Sequence, residues 1–189
     1  ALQELPVVFA MDRAGLAGAD GPTHHGTFDI NYMLSVPGMT VTAPKDGAEM
    51  LALLRLGVKL DRGPLSLRWP RDAVPAAVPH ISEIPDVLYG SWEILREGSG
   101  VAILAVGTMV LESIKAAETL AAEGIDATVV NCRFLKPYDV GVLNKLLDSH
   151  TRFLSVEEGA VVNGFGAFMA REMAGMPQAR GVTGETMGI

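Results

Sequence analysis

The run Val101-Ala-Ile-Leu-Ala-Val106, the segment from Gly107 to Gly124, and the run Ala127-Thr-Val-Val-Asn-Cys132 together decide the fold. Each run is a short, mostly apolar block without regular polar alternation, which suits a strand covered on both faces of a sheet. Between them Val110, Ile114, Ala117 and Ala121 recur at helical spacing on one side, and Gly124 supplies the stop. A strand, a helix and a second strand in such close succession predict parallel neighbours joined by a crossover.

The alternation continues in both directions. Towards the C-terminus, Lys136-Pro137 and Asp139 introduce a helix to about Ser149, Arg152 to Val156 forms a third strand, and a helix follows Gly164. This half reads as a doubly wound α/β domain. Towards the N-terminus, Leu5 to Met11 reads as a buried strand, Phe28 to Val36 as a short helix, and Met39 to Ala43 as a strand. Asp46 to Leu60 is a helix opened by the capping pair Asp46 and Glu49, with Met50, Leu53, Leu54 and Val58 on one face. Pro64 to Trp69 is another strand, ending in Pro70-Arg71. From Asp72 to Tyr89 the pattern dissolves into Ala, Val and repeated Pro, which favours extended chain over helix or central strand. The expected organisation is therefore α/β with two domains built on mainly parallel sheets: residues 1–72, a linker over 73–89, and residues 90–189. The ending Gly184-Glu-Thr-Met-Gly-Ile189 reads as cut short.

Composition narrows the function classes. With 49% hydrophobic and 20% charged residues, the 189-residue chain has material for one or two cores. A formal charge of −7 argues against non-specific binding to nucleic acid or an anionic membrane, so each basic side chain needs its own reason. The single cysteine, Cys132, cannot form an internal disulfide and follows an apolar strand, which predicts a buried, inert thiol. With no apolar run long enough for a membrane span, the expectation is a cytoplasmic protein.

Chemistry concentrates in Asp12-Arg-Ala-Gly-Leu-Ala-Gly-Ala-Asp-Gly-Pro-Thr-His-His-Gly26, a long glycine-rich loop leaving the carboxyl end of a strand, where ligands of open α/β sheets bind. His24 or His25 is the obvious acid or base, since imidazole titrates near neutrality; the bland alternative is a surface loop with Asp20 capping a turn. Arg13 and Arg71 follow two different strands. If those strands are parallel, both guanidinium groups reach one rim, an arrangement suited to a phosphate. Pairing with a nearby carboxylate, such as Asp12 or Asp72, is the competing reading. Glu157-Glu158 at a strand end reads as a solvated edge or an interface pair before a catalytic one. Gly164-Phe-Gly166 is an incomplete dinucleotide loop, and neither His80 nor His150 has partners for a metal.

Leu5 to Gly15, Gly18 to Gly26, Arg68-Trp-Pro-Arg71, Arg133-Phe-Leu-Lys-Pro-Tyr-Asp139 and Val156-Glu-Glu158 together resemble 1-deoxy-D-xylulose-5-phosphate synthases nearly end to end. The Ala-Asp-Gly-Pro-Thr-His core is shared more loosely with transketolases. The resemblance implies that residues 1–72 are the later part of a pyrimidine-binding domain and that residues 90–189 form a transketolase C-terminal-like domain, stopping before the family's last strand and helix. It implies condensation of pyruvate with D-glyceraldehyde 3-phosphate, releasing carbon dioxide, with thiamine diphosphate and Mg2+ as cofactors and a homodimer as the assembly. Residue by residue, it implies that Arg13 and Arg71 contact phosphate, that Asp20 stands at the substrate end of the site, and that His24 exchanges a proton with substrate oxygens. His25 falls where the family varies. The family's magnesium motif and its ring-activating glutamate do not occur here, so the cofactor ligands are expected in a missing N-terminal part, and this segment alone is expected to be inactive. The rival readings are the C-terminal subunit of a split transketolase, a 2-oxo acid dehydrogenase β subunit, and an inactive interaction piece.

Overall fold

The computed structural model describes residues 1–74 and 76–189; Pro75, inside the expected linker, lies outside the described residues. The first half contributes β1 (Val8–Met11), α1 (Asp29–Ser35), β2 (Thr40–Thr42), α2 (Gly47–Lys59) and β3 (Leu65–Arg68). The second contributes β4 (Glu93–Arg96), β5 (Val101–Ala105), α3 (Met109–Ala122), β6 (Ala127–Asn131), β7 (Phe134–Lys136), α4 (Val140–Ser149), β8 (Arg152–Val156), α5 (Phe165–Ala174) and β9 (Thr183–Met187).

The first sheet has the order β1-β3-β2-β7. Its three strands from the first half are parallel, with Met11 opposite Arg68, so the loops after β1 and β3 leave the same rim side by side. The fourth, β7, belongs to the second half and pairs antiparallel with β2. The second sheet has the order β4-β6-β5-β8-β9, parallel except for β4 at its edge. Ile103 and Ala105 of β5 face Val110 and Ala117 of α3, while Ala102 and Leu104 share a core with Leu143 of α4 and Phe165 of α5. Helices thus cover both faces, as a doubly wound sheet requires. The chain leaves β5 for β6 on one side and reaches β8 on the other, which puts the switch point between the carboxyl ends of β5 and β8.

Several expectations are corrected. β1 is not a buried strand: it forms the edge of its sheet, and Phe9 and Ala10 are exposed. On α2 the inward residues are Glu49, Ala52, Leu53 and Gly57, whereas Leu54 and Val58 face out. At Gly57 the sheet lies close, since a Cβ there would sit 3.0 Å from Val8 Cγ2. Asp46 does cap α2, accepting from Glu49 N at 2.8 Å, but the Glu49 carboxylate takes Lys45 N instead of closing on Asp46. On α3, Ala121 is exposed. Residues Thr183–Met187, to which sequence reading assigned no element, form β9, which pairs with β8 over its whole length. The described part of the proline-rich segment lies along α2, where Arg55 donates to the carbonyls of Ile81 and Ile84 and pairs with Asp86.

One hydrophobic cluster runs through both sheets, joining Val41, Leu53 and Leu67 to Leu104, Phe134, Leu143 and Phe165. Trp92 Nε1 donates to Phe134 O at 2.7 Å within it.

Candidate active site

The loop from Asp12 to Gly26 is closed at its neck by backbone bonds. Gly26 N donates to Arg13 O and Gly15 O, and Gly15 N donates to Gly26 O at 3.3 Å. Two single-turn helices, Gly18–Asp20 and Pro22–His24, shape its tip. Arg13 at the neck has φ +61°, left-handed backbone that costs a non-glycine residue some strain and is characteristic of functional loops.

The two arginines do converge. Because β1 and β3 are parallel neighbours, Arg13 and Arg71 reach the same point, and that point is the Asp20 carboxylate: Oδ2 lies 2.8 Å from Arg13 Nε and 3.0 Å from Arg71 Nε. Arg13 also pairs with Asp12 through Nη1. The carboxylate-pairing alternative is therefore realised, with Asp20 in place of Asp72 as the partner of Arg71. The hydrogen bond from Arg13, helped by the charges of Arg71 and His24, holds the Asp20 carboxyl below its ordinary range. The same bond raises the Arg13 guanidinium. Both contacts to Asp20 use Nε alone, and a guanidinium carries five N–H donors, so the chemistry of the cluster suits a second, bidentate anion at the exposed Arg71.

The paired histidines have different surroundings. His25 is half-buried and its Nδ1 accepts from Ala17 N at 2.8 Å, which fixes the loop tip. His24 is exposed, with Nδ1 3.1 Å from Thr23 Oγ1, close enough to Asp20 for its charge to be felt there. Of the two, His24 is the more exposed.

Sequence reasoning gave no role to the residues that hold this rim to the second half. Arg68, at the end of β3, is buried; its Nε pairs with Asp29 at 2.8 Å and its Nη2 donates to Glu158 O at 3.0 Å. Ala160 N donates to Thr27 O, and Asn31 Nδ2 reaches the carbonyls of Ala160 and Val162. Arg68 entered the sequence reading only as the first residue of the Arg68-Trp-Pro-Arg71 run that carries the family resemblance. Glu157 is not on a solvated edge: it is 2% exposed and accepts from Phe165 N and Gly166 N at 2.9 Å each, filling the N-terminus of α5. Burial outweighs those bonds and pushes its carboxyl up. The incomplete dinucleotide loop is thereby occupied by the chain's own carboxylate. A second, partly buried cluster, Lys45, Glu49, Glu93, Asn131 and Arg133, ties the carboxyl end of β2 to β4 and β6. Cys132 is fully buried, and burial raises its thiol far above the ordinary range. His150 is buried too, hydrogen-bonded with Thr128 Oγ1 and Gly98 O. Among the described residues no three His, Cys, Asp or Glu side chains are grouped to hold a metal ion, and no helix is long and apolar enough to cross a membrane.

Comparison with known proteins accords with this architecture. The transketolase pyrimidine-binding domain matches residues 1–76 and the transketolase C-terminal domain matches residues 90–182. The chain is 47% identical over 168 residues to 1-deoxy-D-xylulose-5-phosphate synthase of Gloeobacter violaceus, covering 88% of this chain and 26% of that protein. For the synthase of Aquifex aeolicus the identity is 48% over 176 residues, covering 91% of this chain and 28% of that one. The chain thus spans about a quarter of the length of these curated relatives. Among solved structures, the inactive beta4 tetramer of a split-gene transketolase superposes with a TM-score of 0.85 at 29% identity, covering 100% of this chain and 59% of its own. A transketolase mutant from Pichia stipitis shares the fold, with a TM-score of 0.71 at 23% identity over 86% of this chain and 24% of that chain. With both transketolase domains matched in tandem and synthases its curated relatives, the chain belongs to the transketolase family and within it is similar to 1-deoxy-D-xylulose-5-phosphate synthases.

Proposed function

We propose that the chain supplies the phosphate end of a 1-deoxy-D-xylulose-5-phosphate synthase active site, for the condensation of pyruvate with D-glyceraldehyde 3-phosphate. The observation that carries this reading is the meeting of Arg13 and Arg71 at one point of the rim, in a chain whose relatives bear that name. In this reading the two guanidinium groups take the phosphate of the aldehyde substrate, Asp20 holds them side by side, and His24 exchanges a proton with substrate oxygens. Among the described residues no three His, Cys, Asp or Glu side chains are grouped to hold a metal ion, which supports a reading in which thiamine diphosphate and Mg2+ are held by residues outside these 189 and the chain assayed alone turns nothing over. The domains divide at 1–72 and 90–189 about the linker. A homodimer is supported by the exposed apolar group Phe28, Tyr32 and Val162, a face of the kind that assembly covers.

A second reading, a separate C-terminal subunit of a split transketolase, is favoured by the neighbour that superposes over the whole chain. The donor substrate separates the two. With thiamine diphosphate and Mg2+ present, the enzyme containing this chain should form 1-deoxy-D-xylulose 5-phosphate from pyruvate and glyceraldehyde 3-phosphate. Turnover of xylulose 5-phosphate in place of pyruvate would establish the second reading instead.

A further inference from the structure

The tip of the Asp12–Gly26 loop carries Asp20 and His24, but its neck is set from the other sheet. Gly15, with φ +69°, lies directly beneath the Glu158 side chain: a Cβ added there would overlap Cγ, Cδ and Oε1 of Glu158. Glu158 itself is held from two directions. Its Oε2 accepts from Thr108 Oγ1 at 3.0 Å, just before α3, and its backbone carbonyl accepts from the buried Arg68. These groups stand at the switch point of the second sheet, between the carboxyl ends of β5 and β8. The next residues extend the seam. A Cβ on Gly159 would meet Thr27 O, and Ala160 N bonds that same carbonyl at 2.8 Å. The Glu158 carboxylate therefore presses on the neck at the place where Gly15 and Gly26 exchange backbone bonds, two residues after Arg13.

We propose that Glu158 is a positioning residue, which from the second sheet fixes the closed neck of the loop and with it the direction of Arg13 and the seat of Asp20 and His24. Its hold on the neck follows from the geometry above; its consequence for the reaction rests on the phosphate reading of Arg13 and Arg71. A residue that only filled space between two halves would need neither the anchoring bond from Thr108 nor the absence of a side chain at position 15.

The test is made in the enzyme that carries this chain. Glu158→Ala removes the contact, Glu158→Gln keeps its shape and its acceptor, and Thr108→Val frees the carboxylate without changing the packing volume. Amide hydrogen exchange of residues 13–26 should quicken about tenfold in Glu158→Ala, less in Thr108→Val, and stay near wild type in Glu158→Gln. The KM for glyceraldehyde 3-phosphate should rise about tenfold with the KM for pyruvate unchanged in the Ala variant, and the Gln variant should restore it. Unchanged exchange over 13–26, or a rise spread equally over α4 and β6, overturns the proposal. Faster exchange confined to the loop with neither KM altered leaves the hold of Glu158 on the neck standing and removes the phosphate reading instead.

Discussion

Arg13 and Arg71 meet at Asp20 because each follows the carboxyl end of one of two adjacent parallel strands, β1 and β3. That much was legible from residue order: apolar runs ending in Asp-Arg and Pro-Arg put both guanidinium groups on one rim. Which carboxylate they would take was not, because the choice depends on the path of a long loop with little periodicity, and Asp20 lies nearer in space than Asp72. The arginine contacts predict a titration. A carboxyl whose pKa is depressed in the folded chain contributes stability that is present above its unfolded value and lost as pH falls through the folded one. For Asp20 the ordinary value is 3.8, so its carboxyl carbon followed by NMR should titrate with a midpoint below that. A midpoint at or above 3.8 would mean that the two ion pairs are not made in solution.

Among the elements, helix ends were the most readable, since Asp46 and Asp139 occupy the caps their positions announced. Asp46 accepts from Glu49 N, and Asp139 accepts from Val142 N at 2.9 Å. Asp139 does more, since its other oxygen takes Trp92 N, fastening the start of the second half to α4. Replacing a cap by alanine costs about 1 kcal/mol, and the further, partly buried bond brings the loss at Asp139 to about 2 kcal/mol. Urea unfolding should therefore rank Asp139→Ala as the more damaging variant; equal losses would mean that the Trp92 bond contributes nothing. The short strands β4, β7 and β9 escaped sequence reading for a physical reason. β4 and β9 lie at sheet edges and lack two-faced burial, and β7, although Phe134 and Leu135 are buried, is only three residues long, too short to show a period. The inward face of α2 was only partly legible: Leu53 points in, but Leu54 and Val58 face out, and the small residues Ala52 and Gly57 lie inward in their place. Close approach selects small side chains, and hydropathy alone does not mark them.

Across the whole molecule, the two halves share strands, core and charge. β7 crosses into the first sheet, the hydrophobic cluster is continuous, and the buried pair Arg68–Asp29 binds the turn after β8. Both side chains of that pair are 4% exposed, so Asp29→Ala would strand a buried charge at a cost of about 3–5 kcal/mol. The shared core also predicts that Trp69 and Trp92, one in each half, report a single unfolding transition coincident with loss of helix by circular dichroism. Two separated transitions would show halves that fold independently. The turn after β8 is bonded to Arg68 at the end of β3 and to Thr27 just past the loop that carries Asp20 and His24, so the second sheet touches both sides of the candidate site.

The most direct measurement is the Michaelis constant of each substrate for Arg71→Ala in the enzyme that contains this chain. On the proposed reading, losing one of two charge-assisted phosphate contacts should raise the KM for glyceraldehyde 3-phosphate about 10- to 100-fold while leaving that for pyruvate within about twofold. Equal rises for both substrates, or none for either, would contradict the assignment of this rim to the phosphate.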